Sequence, residues 1–207
     1  MYDAILFDLD GTLVDTESLA LTAGLAAFAA AGCPVDRAVL LAMVGLDQPS
    51  GDAILRRALP EADLQAVNAR WQAGFRALVA EGLPLKPGVR ELLAHLGTRK
   101  CAIVTSSGRD SARHKLAGAG LAAEIETLVT LDDVTRPKPD PEPYLHAAAL
   151  LRVAPERCLV FEDSETGACS AHRAGCTVVQ VPDLIPASGR YAHHIAPDLM
   201  AGARAAG

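Results

Sequence analysis

The chain has 207 residues, 50% hydrophobic and 21% charged, with a formal net charge of −6. That length can bury a sizeable core in one domain, or one domain with an insertion, and that composition excludes a disordered chain. The acidic balance without any basic run argues against nucleic acid as a partner, and no apolar stretch approaches the ~20 residues of a membrane span. Asp3 and Asp8 flank an opening apolar run too short and too acidic for a secretion signal. The five cysteines, Cys33, Cys101, Cys158, Cys169 and Cys176, include no CxxC pair and no metal spacing. They are expected as reduced thiols in a cytoplasm.

The first element is the run Ala4 to Phe7, which leads directly into Asp8 and Asp10 and is broken by Gly11 and Thr12. A short unbroken apolar run followed by turn residues predicts a strand buried on both faces. Side chains two apart on a strand share a side, so Asp8 and Asp10 should stand together near its carboxyl end. Open α/β sheets bind their ligands there. Two carboxylates that close need a cation, a shared proton or strong donors. Three other readings fit the same residues. Asp-Gly is a common turn pair, and an aspartate can serve as a phosphoacceptor switch without turnover. Aligned as a calcium loop, Leu6 to Glu17 places Asp8, Asp10, Gly11 and Glu17 at positions 3, 5, 6 and 12, but leaves position 1 without an oxygen.

Helical periodicity follows. Leu21, Leu25 and Phe28 mark a first helix stopped at Gly32, and Asp36 can cap a second through Val39, Leu40 and Met43. Ser50 can open a third, closed by Pro60, and Leu64, Val67, Trp71, Phe75 and Leu78 mark a fourth ending at Gly82. Residues 15–83 thus read as all helix, an inserted subdomain. From Pro87 the pattern changes to alternation. Strands are expected at 101–105, 127–131, 157–161 and 176–181, with helices at 88–96, 109–116, 140–151 and 166–174. Such alternation predicts an α/β fold, a doubly wound, mostly parallel sheet. The tail after Pro182 shows little pattern.

Each later strand end adds a type of side chain. CAIVTSS ends in Thr105, Ser106 and Ser107, hydroxyls and N–H groups suited to a phosphate. Lys138 lies between prolines in RPKPDPEPY, where a stiff segment can hold it as a point charge against phosphate. CLVFEDSETG ends in Glu162 and Asp163, further oxygen donors for a hard cation. Each has a plain alternative, as a helix cap, a solvated loop charge or a dipole-favoured helix start. The four together are a far rarer coincidence than any one.

DLDGTLVDT, VTSSG, RPKPDP and FEDSETG, in that order, resemble the four motifs of the haloacid dehalogenase-like hydrolases. The closest resemblance is to their phosphoglycolate-phosphatase and β-phosphoglucomutase-like branch. It covers nearly the whole chain and is specific for the superfamily, not for a substrate. It implies a Rossmann-like catalytic core, residues 1–14 plus 86–207, and an all-helical cap domain, residues 15–85. It implies that Asp8 attacks phosphorus to form an aspartyl phosphate and that Asp10 acts as general acid and then base. Mg²⁺ would be held by Asp8, the backbone carbonyl of Asp10 and Asp163. Thr105, Ser106 and Lys138 would bind the phosphate, and Glu162 would support the site from behind.

The substrate implied is a small sugar- or organic-acid-type phosphate ester, hydrolysed in the cytoplasm by a monomer or weak homo-oligomer. Departures from the branch favour hydrolysis over mutase chemistry. Leu19 and Ala20 stand where the sugar-phosphate mutases usually carry a histidine, and GLDQPSG, residues 45–51, has Asp47 and Gln48 but no arginine. Gln48 and Ser50 can meet a hydroxylated substrate or simply cap a helix. A mutase-like phosphate transfer and a phosphoacceptor or metal-binding module remain the alternatives. Arg109 and Arg136 flank the phosphate motifs and can meet an anionic substrate, but loop arginines are more often solvated. His193 and His194 are adjacent and so diverge, which suits surface positions. His172 reads as structural, and Trp71 as part of the helical subdomain's own core.

Overall fold

A computed structural model describes residues 2–44, 48–125 and 127–207, with Gln48 described by its backbone alone. The chain forms two compact units, Met1–Asp15 with Pro84–Gly207, and Thr16–Leu83.

In the larger unit six strands lie in the order β3-β2-β1-β4-β5-β6, and every pairing is parallel. They are β1 (Ala4–Phe7), β2 (Lys100–Val104), β3 (Thr127–Val129), β4 (Cys158–Glu162), β5 (Thr177–Gln180) and β6 (His194–Ile195). The order reverses at β1, which places β1's carboxyl end at the crevice where doubly wound sheets take ligands. All four β1 residues are buried, as their unbroken apolarity requires of a central parallel strand. Phe7 pairs with Ile103 on one side and Phe161 on the other, and the Phe7 and Phe161 rings stack at 5.5 Å.

Helices α5 (Val89–Leu96), α6 (Arg109–Gly118), α7 (Glu142–Leu151), α8 (Glu165–Arg173) and α9 (Leu199–Ala206) complete this unit. On one face Leu6, Val104 and Val160 pack with Tyr144, Ala147 and Ala168. Two elements lie in the tail that showed little pattern, β6 and α9. The Asp198 carboxylate caps α9 by accepting from Ala201 N–H at 2.7 Å, and Gly202 lets the helix lie on Val179 and Phe161. A two-residue strand is too short to show a period of two, which is why β6 has no signal of its own. The expected third strand at 127–131 ends at Val129, and Leu131–Asp133 form a 3₁₀ turn instead, because the Asp133 carboxylate accepts from both Thr130 N–H and Oγ1.

The smaller unit is helical: α1 (Thr16–Ala30), α2 (Arg37–Leu41), α3 (Gln48–Ala58) and α4 (Leu64–Glu81). Asp36 caps α2 and Asp63 caps α4. The second helix stops at Leu41, short of the expected Met43, and the third opens two residues before Ser50. Trp71 joins α1 to α4. Its indole N–H donates to Ala20 O at 2.7 Å, and its ring meets Phe28 edge-on at 6.0 Å. Gly24 permits this, since a Cβ there would come within 2.7 Å of the indole.

Candidate active site

The strand ladder carries the first carboxylate into place. Asp8 N–H donates to Phe161 O at 3.0 Å, and Thr105 N–H to Val129 O at 2.9 Å, so both residues extend rigid strands by one step. Leu9 turns inward and is buried, leaving Asp8 and Asp10 on the opposite side. The chain then reverses, with Leu13 and Val14 N–H both donating to Leu9 O. Gly11 is required twice over. Its φ of +79° suits glycine, and a Cβ there would overlap the Asp163 carboxylate.

Asp8 faces a buried lysine. Lys138 Nζ donates to Asp8 Oδ1 at 2.7 Å, Glu162 Oε1 at 2.6 Å and Val104 O at 2.8 Å, so its three N–H groups are all used. Glu162 is fully buried and also accepts from Tyr144 OH at 2.6 Å and Ser164 Oγ at 3.1 Å. Gly167 makes room for it, because a Cβ at that point of α8 would occupy the carboxylate's own position. Burial pushes the Asp8 carboxyl up to about 7; Lys138 pulls it down, while Glu162 and Asp10 push it further up. Burial works against the Lys138 charge, but Asp8 and Glu162 outweigh it and hold the ammonium well above its ordinary value. Burial, then Glu162 and Asp8, keep the Tyr144 hydroxyl protonated as a donor.

Asp10 faces a second lysine. Lys115 Nζ, in the last turn of α6, donates to Asp10 Oδ1 at 2.6 Å and to Ser107 Oγ at 2.9 Å. Ser107 Oγ in turn donates to Asp10 Oδ2 at 2.9 Å, and its N–H donates to Thr105 Oγ1 at 3.0 Å. Thr105 is buried and reaches Asp10 Oδ2 only at 3.5 Å. Ser106 is exposed, and its neighbour Ser107 makes the contact with Asp10. Sequence reasoning did not single out Lys115 or Tyr144. Both sit at ordinary helical positions, and only the packing of α6 and α7 onto the strand ends brings them to the carboxylates.

Asp8, Glu162 and Asp163 each present one oxygen within 4.8 Å of the others. An all-oxygen set of this kind suits a hard divalent cation. Within this set Glu162 also accepts from Lys138, Tyr144 and Ser164, and Asp8 from Lys138. Gln180 Nε2, at the end of β5, donates to the Asp163 carbonyl at 3.2 Å. Three buried side-chain oxygens among the described residues lack a hydrogen-bond partner: Thr12 Oγ1, Gln180 Oε1 and Asp183 Oδ2. Each belongs to a segment that follows or ends β1 or β5.

The other residues have local explanations. Arg109 pairs with Asp133, and Arg136 with Glu142 at 3.2 Å and Asp140 at 3.5 Å. His193 Nδ1 accepts from Val178 N–H at 3.0 Å, and its ring lies 5.5 Å from that of His172, which is exposed. Gly45–Asp47 and the Gln48 side chain lie outside the described residues, while Ser50 lies in α3. The segment leading into the calcium-loop alignment is strand β1, so that alternative lacks its entering helix.

A model of the haloacid dehalogenase-like hydrolase family matches residues 5–181, which hold both aspartates, both lysines and the Glu162–Asp163 pair. The chain belongs to that family. Like other haloacid dehalogenase-like hydrolases it joins an α/β core to an inserted helical cap, and it is an enzyme, a phosphatase with an aspartate-based active site. It is 36% identical over 188 residues to validoxylamine A 7'-phosphate phosphatase of Streptomyces hygroscopicus subsp. limoneus, covering 84% of this chain and 83% of the relative. It is 37% identical over 178 residues to hexitol phosphatase A of Escherichia coli, covering 85% and 81%. Its fold resembles a solved haloacid dehalogenase family hydrolase of Deinococcus radiodurans with bound phosphate and sodium, with a TM-score of 0.83, 28% identity and coverage of 99% and 94%. Among the described residues no helix is long and apolar enough to cross a membrane.

Proposed function

We propose that this phosphatase is Mg²⁺-dependent and hydrolyses a small hydroxylated phosphate monoester, of sugar or organic-acid type, through an aspartyl phosphate on Asp8. An Asp8 carboxylate oxygen attacks phosphorus as the bond to the leaving alkoxide breaks, and Asp10 gives that alkoxide its proton. Asp10 then takes a proton from the water that attacks phosphorus, releasing phosphate and restoring Asp8. Lys138 neutralises the transferring group, with Glu162 and Tyr144 fixing its position. Thr105 and Ser106 would bind the phosphoryl oxygens, and Ser107 and Lys115, which donate to Asp10, aim it. Asp8, the Asp10 carbonyl and Asp163 would hold Mg²⁺, which when bound neutralises charge on the phosphoryl oxygens.

The observation that carries this reading is the pairing of two aspartates, two residues apart, each with its own lysine: Asp8–Lys138 at 2.7 Å and Asp10–Lys115 at 2.6 Å. A phosphoacceptor switch needs the first pair and has no use for the second. The substrate class draws on the hexitol and validoxylamine phosphatases among the relatives. The test is phosphate release from p-nitrophenyl phosphate and a panel of sugar, sugar-alcohol and carboxylic-acid phosphates, with Mg²⁺ and with chelator, for wild type and Asp8→Asn. Turnover that needs Mg²⁺ and is lost in Asp8→Asn is the expected result. Isomerisation of a sugar phosphate without release, or stable phosphorylation of Asp8 without turnover, overturns it.

A further inference from the structure

The loop after β5 brings a third acidic side chain toward Asp163. Asp183 is 6% exposed at its side chain, yet only one of its oxygens is satisfied. Oδ1 accepts from Lys86 Nζ at 2.7 Å, while Oδ2 is buried and has no partner. That orphaned oxygen is aimed at the turn after β1. A Cβ on Gly11 would stand 3.3 Å from it and would overlap Asp163 Oδ2, so both oxygens converge over the same glycine. A buried carboxylate oxygen left without a donor or cation costs free energy, which marks the place where a partner belongs. Asp183 is not part of the Asp8, Glu162 and Asp163 set, whose oxygens lie within 4.8 Å of one another. Its reach therefore suits a water bound to the cation.

We propose that Asp183 is a positioning residue for the divalent cation, accepting through Oδ2 from a cation-bound water, with Lys86 neutralising its other oxygen. Gln180 is the companion from the same strand, holding the Asp163 carbonyl through Nε2. The end of β5 thus backs the cation site, as the ends of β1 and β4 form it. Lys86 also lies 4.0 Å from Asp15, so the support for Asp183 comes from the two segments where the chain leaves and re-enters the α/β unit. This inference rests on the cation site proposed above.

The test is Mn²⁺ binding to the full chain, followed by calorimetry and by the electron paramagnetic resonance signal of free Mn²⁺. Asp183→Asn keeps the shape and removes the charge, and should raise the Mn²⁺ Kd about tenfold, the lower range for a residue behind the ligands. Lys86→Met breaks the same ion pair from the other side. It should leave the Kd unchanged or lower it, since it removes a positive charge near the site. Equal weakening in both variants would mean that the ion pair is purely structural and would overturn the inference. So would an Asp183→Asn Kd within twofold of wild type in a protein that unfolds at the same urea concentration. A wild-type chain that binds no Mn²⁺ would instead overturn the cation site itself.

Discussion

Two aspartate–lysine pairs stand two residues apart on one strand end, and their surroundings differ. Asp8 and Lys138 are sealed, with Lys138 4% exposed at its side chain and locked by three acceptors. Asp10 and Lys115 are more open, at 23% and 12%, and Lys115 is braced by a single serine hydroxyl. Lys138 cannot leave its site without stranding two carboxylates, whereas Lys115 serves one carboxylate and a serine hydroxyl and lies nearer to solvent. The difference matches the chemistry proposed for each. An attacking oxygen has to be held still in a dry place, and a proton carrier has to meet both a leaving group and water.

The largest effect should come from Lys138→Met. It leaves Glu162 buried without a counter-ion, held only by the Tyr144 and Ser164 hydroxyls, so urea denaturation should show a loss of about 3–5 kcal/mol, and the fraction that folds should have kcat lowered about 10²–10³-fold. A variant of wild-type stability would show that the buried Glu162 does not depend on Lys138 for its charge. Gly167→Ala reaches the same pair without altering a charge, by driving a methyl into Glu162. Overpacking of this kind typically costs about 1–3 kcal/mol, and the thermal midpoint should fall accordingly. Lys115→Met should leave stability near wild type and lower kcat about tenfold with KM little changed, since it loosens the aim of Asp10. Lys115→Arg should recover part of that loss, and a Lys115→Met effect confined to KM would make this lysine a substrate contact instead.

A further effect is one of pH. Asp8 is raised from its ordinary 3.8 to about 7 in the cation-free protein, so between those values the folded chain holds a proton that the unfolded chain has released. Stability from this group is complete below about 4 and is lost as pH rises through about 7, with a limiting slope of about 1.4 kcal/mol per pH unit. In chelator, Asp8→Asn should therefore gain on wild type as pH rises from 4 to 7, read from urea midpoints. Parallel midpoints would show that Asp8 is ionised throughout. The proposed cation site would need the Asp8 carboxylate ionised, so Mg²⁺ affinity should strengthen over the same interval and level off above it.

The distinction between sequence and tertiary structure follows from how far each signal reaches. Asp8 and Asp10 are legible because strand geometry alone places residues two apart on one side, and the apolar run before them marks a central strand. Thr105, Lys138, Glu162 and Asp163 are legible because each follows or ends an element with its own pattern, and the order of those elements implies a parallel sheet. The hydrophobic spacing of Leu64 to Leu78 likewise announces α4 without help from the rest of the chain. None of these signals specifies which side chains meet. Lys115 lies 105 residues from Asp10, and Asp183 lies 97 from Lys86. Their identities carry no local periodicity, so only the packing of α6 on the sheet and the path of the loop after β5 could bring them together. Tyr144 looks like one more apolar position of α7 until its hydroxyl reaches Glu162, and Gly167 like an ordinary helical glycine until that carboxylate fills its missing side chain. Sequence by itself determined the strand that ends in two carboxylates, the helical insertion and the residue types at the strand ends, because those depend on neighbours along the chain. Tertiary structure decided which lysine serves which aspartate and which buried oxygen waits for a partner, because those depend on distances across the fold.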